Sequence, residues 1–254
     1  MARAGRSGGK NHGEALLRAV ERIVDSPSKI RAKAEAAEHE ICSSLPKDAS
    51  PAQRREVLER RLISEYSNKT ALAGGAAALP SLVPGLGTLA SALGGGILDM
   101  TACLKLEVEL ALALASARGY DIEDPRERQL AYLLAAVHGS EASAVGSALA
   151  DLVKAEADAI WHYTPRQLGK LVSAAFVRLA IQLAGRGLTR AIPIVGVVVS
   201  SAANKALTAR VGREVIKALD ERERRAGGVE APPPRRRPRA AGRPASRRAA
   251  GGRR

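Results

Sequence analysis

Aromatic side chains are almost missing from this chain. One Trp, four Tyr and one Phe make up 2% of 254 residues. A core must therefore be built from Ala, Leu, Val and Ile, and a base-stacking surface for single-stranded nucleic acid has few side chains to draw on. Cysteine is nearly as scarce. Cys42 and Cys103 stand far apart, with no CxxC or CxxH spacing, so neither a disulfide framework nor a zinc site is suggested. Cys103 reads as a small core residue of an apolar helix. The four histidines, His12, His39, His138 and His162, show no ligand spacing, so no metal or other cofactor is called for.

Catalytic signatures are missing too. Gly85 and Gly87 are followed by no GKS or GKT, so they do not make a phosphate loop. No Ser-His-Asp or Cys-His pattern has a local signature. Glu107 and Glu109, two residues apart, fall on different sides of a helix and do not converge. The chain reads as a non-enzyme. Its start, MARAGRSGGKNHGEA, lacks the apolar stretch of a secretory signal. The expected location is the cytoplasmic side of a membrane, peripheral or partly inserted, with the cytoplasm as the alternative.

Acidic residues are missing from one region. Residues 159–213 hold eight basic side chains and no acid, whereas residues 11–158 hold 16 basic and 21 acidic ones. The last stretch, 231–254, carries nine arginines and no acid, and much of the net charge of +14. The body is thus polarised, acidic first and basic later.

The longest absence is of any charge at all. From Ala71 to Leu98 the chain reads ALAGGAAALPSLVPGLGTLASALGGGIL, 28 residues without a charged side chain. About 20 apolar residues suffice to cross a bilayer as a helix. Two prolines, Pro80 and Pro84, and seven glycines argue against one continuous helix. A shorter run of the same kind, AIPIVGVVVSSAAN, spans Ala191 to Asn204. Each run passes through a Pro and a Gly into a small-residue helix. Two readings stay open: a buried core hairpin, or a wedge in lipid shielded by protein.

Ala and Leu favour helix, and no segment alternates with period two. The predicted fold is all-α: an irregular multi-helix bundle with two Pro/Gly-broken apolar segments and a disordered basic C-terminal tail. Residues 1–12 are expected to be disordered. Residues 13–225 form one helical domain, with charged helices over 13–69 and an apolar body over 70–225. Residues 226–254, rich in Pro, Gly and Arg, form the tail. Helices are expected over about 13–25, 27–42, 51–69, 86–118, 125–138, 141–160, 165–187 and 195–225. Ser50-Pro51, Asp124-Pro125 and Thr164-Pro165 supply cap-then-proline starts, and Gly119 a C-terminal stop. In the helix after Pro165, Leu168, Leu171, Val172, Ala175, Leu179 and Leu183 share a face, with Arg166, Lys170 and Arg178 opposite. Such a helix can cover a core or lie on anionic lipid. Trp161-His162-Tyr163 reads as a hinge packed on the body or an interfacial anchor.

Three blocks carry a family resemblance: LPSLVPGLGTLASALGGGILDM (79–100), ARGYDIEDPRER (117–128) and RAIPIVGVVVSSAANKALTARVG (190–212). Together they resemble the EcsC family. Ile192-Pro193 leading to Gly196, then Asn204, Thr208 and Val211-Gly212, look like that family's C-terminal signature. Asp99 falls where its first block tends to carry an acid. The resemblance implies an all-α, membrane-associated, bacterial-type protein, named for a gene beside an ABC transporter, with no agreed catalytic residues.

The candidate interaction positions are Pro84, Gly85, Gly87, Asp99, Arg190, Pro193, Gly196 and Asn204. The two Pro-Gly segments are expected to lie together. Asp99 is expected at the membrane-water edge, buried with Asn204, Thr208 or Arg190 as partner, or at an exposed helix position. The leading function is a membrane-associated accessory or adaptor, partnered by a membrane surface or a membrane protein. Anionic lipid would be met through 159–213 and the tail. The alternatives are a soluble bundle that binds a hydrophobic ligand, and a nucleic-acid-associated protein whose arginine tail gives non-specific affinity.

Overall fold

The computed structural model describes residues 4–73, 95–140, 162–186 and 195–228. These form seven helices and, among the described residues, no strand: α1 (Ala4–Ile23), α2 (Pro27–Ser44), α3 (Pro51–Ala73), α4 (Gly95–Ala117), α5 (Pro125–Ser140), α6 (Pro165–Arg186) and α7 (Val195–Gly228). The fold is all-α. The expected helix over 141–160 and the tail from 229 lie outside the described residues. So does Trp161. α1 starts at Ala4, upstream of the expected residue 13. Extending a nucleated helix fixes one residue per new hydrogen bond, so a glycine-rich lead can be recruited.

Local chemistry sets the helix ends. Ser50 and Gln53 form a capping box: Gln53 N–H donates to Ser50 Oγ at 3.2 Å, and Ser50 N–H to Gln53 Oε1 at 2.9 Å. Thr164 and Gln167 repeat it before α6, with 3.4 and 2.9 Å. Ser26 caps α2, and Asp124 accepts from Arg126 N–H at 2.8 Å before α5. All four caps precede a proline, which already has the helical φ and no N–H to satisfy. α4 stops in a Schellman turn. Gly119 adopts φ 85°, its N–H bonds Ser116 O at 2.9 Å, and Tyr120 N–H bonds Ala115 O at 3.1 Å.

α4 is the central helix. It packs against α1, α2, α3, α5 and α7. Every residue from Thr101 to Ser116 is buried, including Lys105, Glu107 and Glu109. Such all-round burial follows from a helix with apolar residues on every side. Cys103 is buried in it, whereas Cys42 is exposed.

α6 settles one of the open readings. Leu168, Val172, Ala175, Phe176 and Leu179 are buried, and α6 packs on α1 and α5. Its apolar stripe covers the core and does not lie free as a lipid-binding face. Arg166 and Lys170 remain exposed.

Candidate functional site

The directions of α3, α4 and α7 follow from their cross-contacts. Thr208 of α7 meets Glu107 of α4, and a Cβ on Gly212 would lie 3.0 Å from Leu110 Cδ2. Farther on, Asp220 meets Arg118. The two helices therefore run side by side in the same direction. α3 runs opposite to both. Ser201 Oγ donates to Ala71 O, a Cβ on Gly212 would meet Ile63 Cγ1 at 2.7 Å, and Glu223 meets Arg55 at 3.1 Å.

The end of α3 and the starts of α4 and α7 thus share one end of the bundle. The described ends of the two uncharged runs, 71–73 and 95–98 of the first and 195–204 of the second, therefore lie toward this end. The opposite end is held by ion pairs. Arg118, whose side chain is 2% exposed, donates to Glu59 at 2.7 Å and Asp220 at 2.6 Å, and lies 3.4 Å from Glu223. Arg222 takes Glu127 in a fork with both distances 2.7 Å and stacks 4.2 Å over the Tyr120 ring. Arg31 bridges to Asp121 and Glu123.

Of the eight candidate positions, Pro84, Gly85, Gly87, Arg190 and Pro193 lie outside the described residues. Asp99 and Gly196 fall near the starts of α4 and α7, where the structure describes the backbone and not their side chains. Asn204 is half-buried. In the parallel register Asp99 is level with about Ser200, so Asn204 lies about one turn farther from the end. Thr208, expected as a partner of Asp99, instead donates to Glu107 at 3.3 Å. A residue eight positions, roughly two turns, past Asp99 on α4 is too far along the helix to share that partner.

Three charges inside α4 were not among the candidates. Lys105 and Glu109 pair at 2.5 Å, one turn apart. Glu109 Oε1 also accepts from Asp25 N–H at 2.8 Å, at the α1–α2 turn. Burial raises the Asp25 carboxyl, but hydrogen bonds from Lys29 and Lys33 and the charge on Lys105 outweigh it and hold it at about 2. Glu107 faces the other way, as its helical position requires. It is 2% exposed, and burial pushes its carboxyl up to about 8 against the single opposing bond from Thr208. The sequence signal was available: Lys105, Glu107 and Glu109 sit in an apolar segment that leaves no solvated face.

At the far end a cleft of about 320 Å³ is lined by Glu38, Ile41, Cys42, Arg54, Arg55 and Leu58 among others. Among the described residues no helix is long and apolar enough to cross a membrane, and no group of His, Cys, Asp or Glu could hold a metal ion. Across the same residues the fold is an all-α bundle in which the end of α3 and the starts of α4 and α7 share one end, Asp99 among them, and the opposite end is ion-paired. Comparison with protein-family models, curated proteins and solved structures returns no match.

Proposed function

We propose that this is a non-enzymatic, membrane-associated helical accessory or adaptor protein of the EcsC type. It acts at the cytoplasmic face, peripheral or partly inserted, and its uncharged end engages lipid or a membrane protein. The observation that supports this is the parallel register of α4 and α7. It brings the described ends of the two uncharged runs to one end of the bundle, while Arg118, Arg222 and Arg31 tie the other end together through carboxylates. A protein with one apolar and one charged end has an orientation to offer at an interface. The buried carboxylates Glu107 and Glu109 point apart, which supports the non-enzymatic reading.

Fractionation tests it. The full chain is expected in the membrane pellet, to resist high salt, and to be released by carbonate or detergent. A chain that stays in the high-speed supernatant, and that vesicles of any charge fail to pellet, would overturn the proposal.

A further inference from the structure

Six cations form no ion pair among the described residues and fall at one place in the fold: Arg18 and Arg22 on α1, Arg126 and Arg128 on α5, Arg166 and Lys170 on α6. Elsewhere Arg31 meets Asp121, Arg55 meets Glu223 and Lys69 meets Glu65. The register of three helices brings the six together. A Cβ on Gly13 of α1 would lie 2.3 Å from Val177 Cα of α6. Farther along, α1 reaches Glu21, whose carboxyl burial raises and the charges of Arg128 and Arg18 lower. Next to Arg128, Gln129 Nε2 would lie 3.4 Å from a Cβ on Gly169. Beyond that, the rings of Tyr132 and Phe176 stand 6.4 Å apart. α5 and α6 therefore run in parallel, and α1 runs against both. The end of α1 lies beside the first turns of α5 and α6. Arg222 meets Glu127 there, which places the cluster at the ion-paired end of the bundle.

Nearby acids do not cancel it. Asp25 is taken by Lys29 and Lys33, Glu127 by Arg222, and Asp121 and Glu123 by Arg31. Glu21 and Asp124 remain, and Asp124 caps α5. Residues 162–170 contain no acid. Arg126 is half-buried and the other five cations are exposed. Arg126 Nε and Gln129 Oε1, a donor and an acceptor about one turn apart, are buried without a partner.

We infer that this patch receives an acidic polypeptide segment, the second face that the adaptor reading above requires. Arginine suits carboxylates, because its planar fork takes both oxygens at once. Glu21 and Asp124 stand among the cations and would repel a continuous phosphate backbone. A peptide can set its own cations against them. Tyr132 and Phe176, the rings on these two helices, are buried and cannot stack on bases. The patch faces away from the end at which α4 and α7 start, so a membrane at one end and a protein at the other do not compete.

The inference deepens the adaptor reading and is tested without lipid, so each can fail alone. The full chain meets a fluorescent oligoglutamate peptide, or an oligothymidylate of equal charge, at low salt. Anisotropy reads the affinity. Carbodiimide, which joins a carboxylate to a lysine ammonium it touches, locates the peptide. Residues 231–254 contain no lysine, so the tail gives no product. The peptide is expected to couple at Lys170. Arg126→Gln with Arg128→Gln and Arg166→Gln should weaken binding on the order of tenfold, from about two- to threefold per exposed pair. Lys47→Gln with Lys205→Gln and Arg213→Gln, equal in charge and outside the patch, should change it by less than about twofold. If the patch variant binds as wild type and Lys170 does not couple, the tail holds the peptide and the inference is overturned. An oligothymidylate that binds more tightly than the peptide, and loses more in the patch variant, makes the partner a nucleic acid and overturns it too. Coupling at Lys170 that appears only after Asp151→Asn, Glu156→Gln and Asp158→Asn shows the chain's own acids on the patch, and rules out an outside partner.

Discussion

Thr208 Oγ1 on α7 donates to Glu107 Oε1 on α4 at 3.3 Å, in a place where neither side chain reaches water. Burial penalises the ionised carboxylate, so the folded protein holds the Glu107 proton up to about pH 8, against 4.5 for an ordinary glutamate. The folded state therefore binds the more protons between these values, and stability falls as pH rises through that window. Urea midpoints are expected to decline from pH 5 to pH 8, by up to about 1.4 kcal/mol per pH unit. Glu107→Gln keeps an acceptor for Thr208 and cannot ionise, so it should flatten the decline and be the more stable protein at pH 8. Asp25 acts elsewhere: its carboxyl is lowered to about 2, and its contribution is lost only as pH falls below about 4. Equal slopes for wild type and Glu107→Gln would refute the assignment.

Arg118→Met should destabilise the protein strongly. Its guanidinium joins Glu59 of α3 to Asp220 and Glu223 of α7 from the end of α4. Glu59 is buried, and losing its cation strands a carboxylate away from water. Breaking such a pair costs roughly 3–5 kcal/mol. Arg118→Lys should recover only part of this, because one ammonium cannot reproduce the fork that spans both helices. Chemical denaturation of the three proteins decides it. Equal stability for Arg118→Lys and wild type would show that charge alone matters there.

Two glycines should respond unequally to alanine, although both lie within helices. A Cβ on Gly13 would sit 2.3 Å from Val177 Cα, so α1 and α6 would have to separate. That overpacking costs about 1–3 kcal/mol. On Gly212 the conflict is with Ile63 Cγ1 at 2.7 Å and Leu110 Cδ2 at 3.0 Å, side-chain atoms that can rotate. There the helix preference of Ala over Gly, about 1 kcal/mol, offsets most of the strain. Gly13→Ala should lower the melting midpoint by several degrees and Gly212→Ala by little. A loss at Gly212 as large as at Gly13 would show that the α3–α4–α7 contact cannot adjust.

The helix starts were legible because each is written in adjacent residues: Ser50-Pro51, Asp124-Pro125 and Thr164-Pro165 carry both the cap and the fixed φ. Gly119 was legible for the same reason, since a left-handed residue after a long apolar helix has few substitutes. The opposite orientation of Glu107 and Glu109 needed only the helical period. What the sequence did not disclose is long-range. That Thr208 serves Glu107 and not Asp99 depends on a register between helices about 100 residues apart. The surface face of α6 could not be told from its own pattern, because an amphipathic stripe looks alike against protein or lipid. Arg126 and Arg166 share an end only once α5 and α6 are known to run in parallel.

That register can be checked directly by cross-linking. Ser201 of α7 bonds to the backbone of Ala71 of α3, so residues 71 and 201 are neighbours across the crossing. In a Cys42→Ser background, Ala71→Cys with Ser201→Cys should form a disulfide or a short cross-link under mild oxidation. Ala71→Cys with Arg224→Cys should not. If α7 ran the other way beside α3, its far end would stand near Ala71, and the second pair would be captured in place of the first. The distinction is large, because 23 positions along a helix amount to about 35 Å. Capture of the first pair would confirm that the end of α3 lies beside the start of α7. Capture of the second pair alone, in a folded protein, would send the two uncharged runs to opposite ends. The proposed membrane contact of that end would then have no basis.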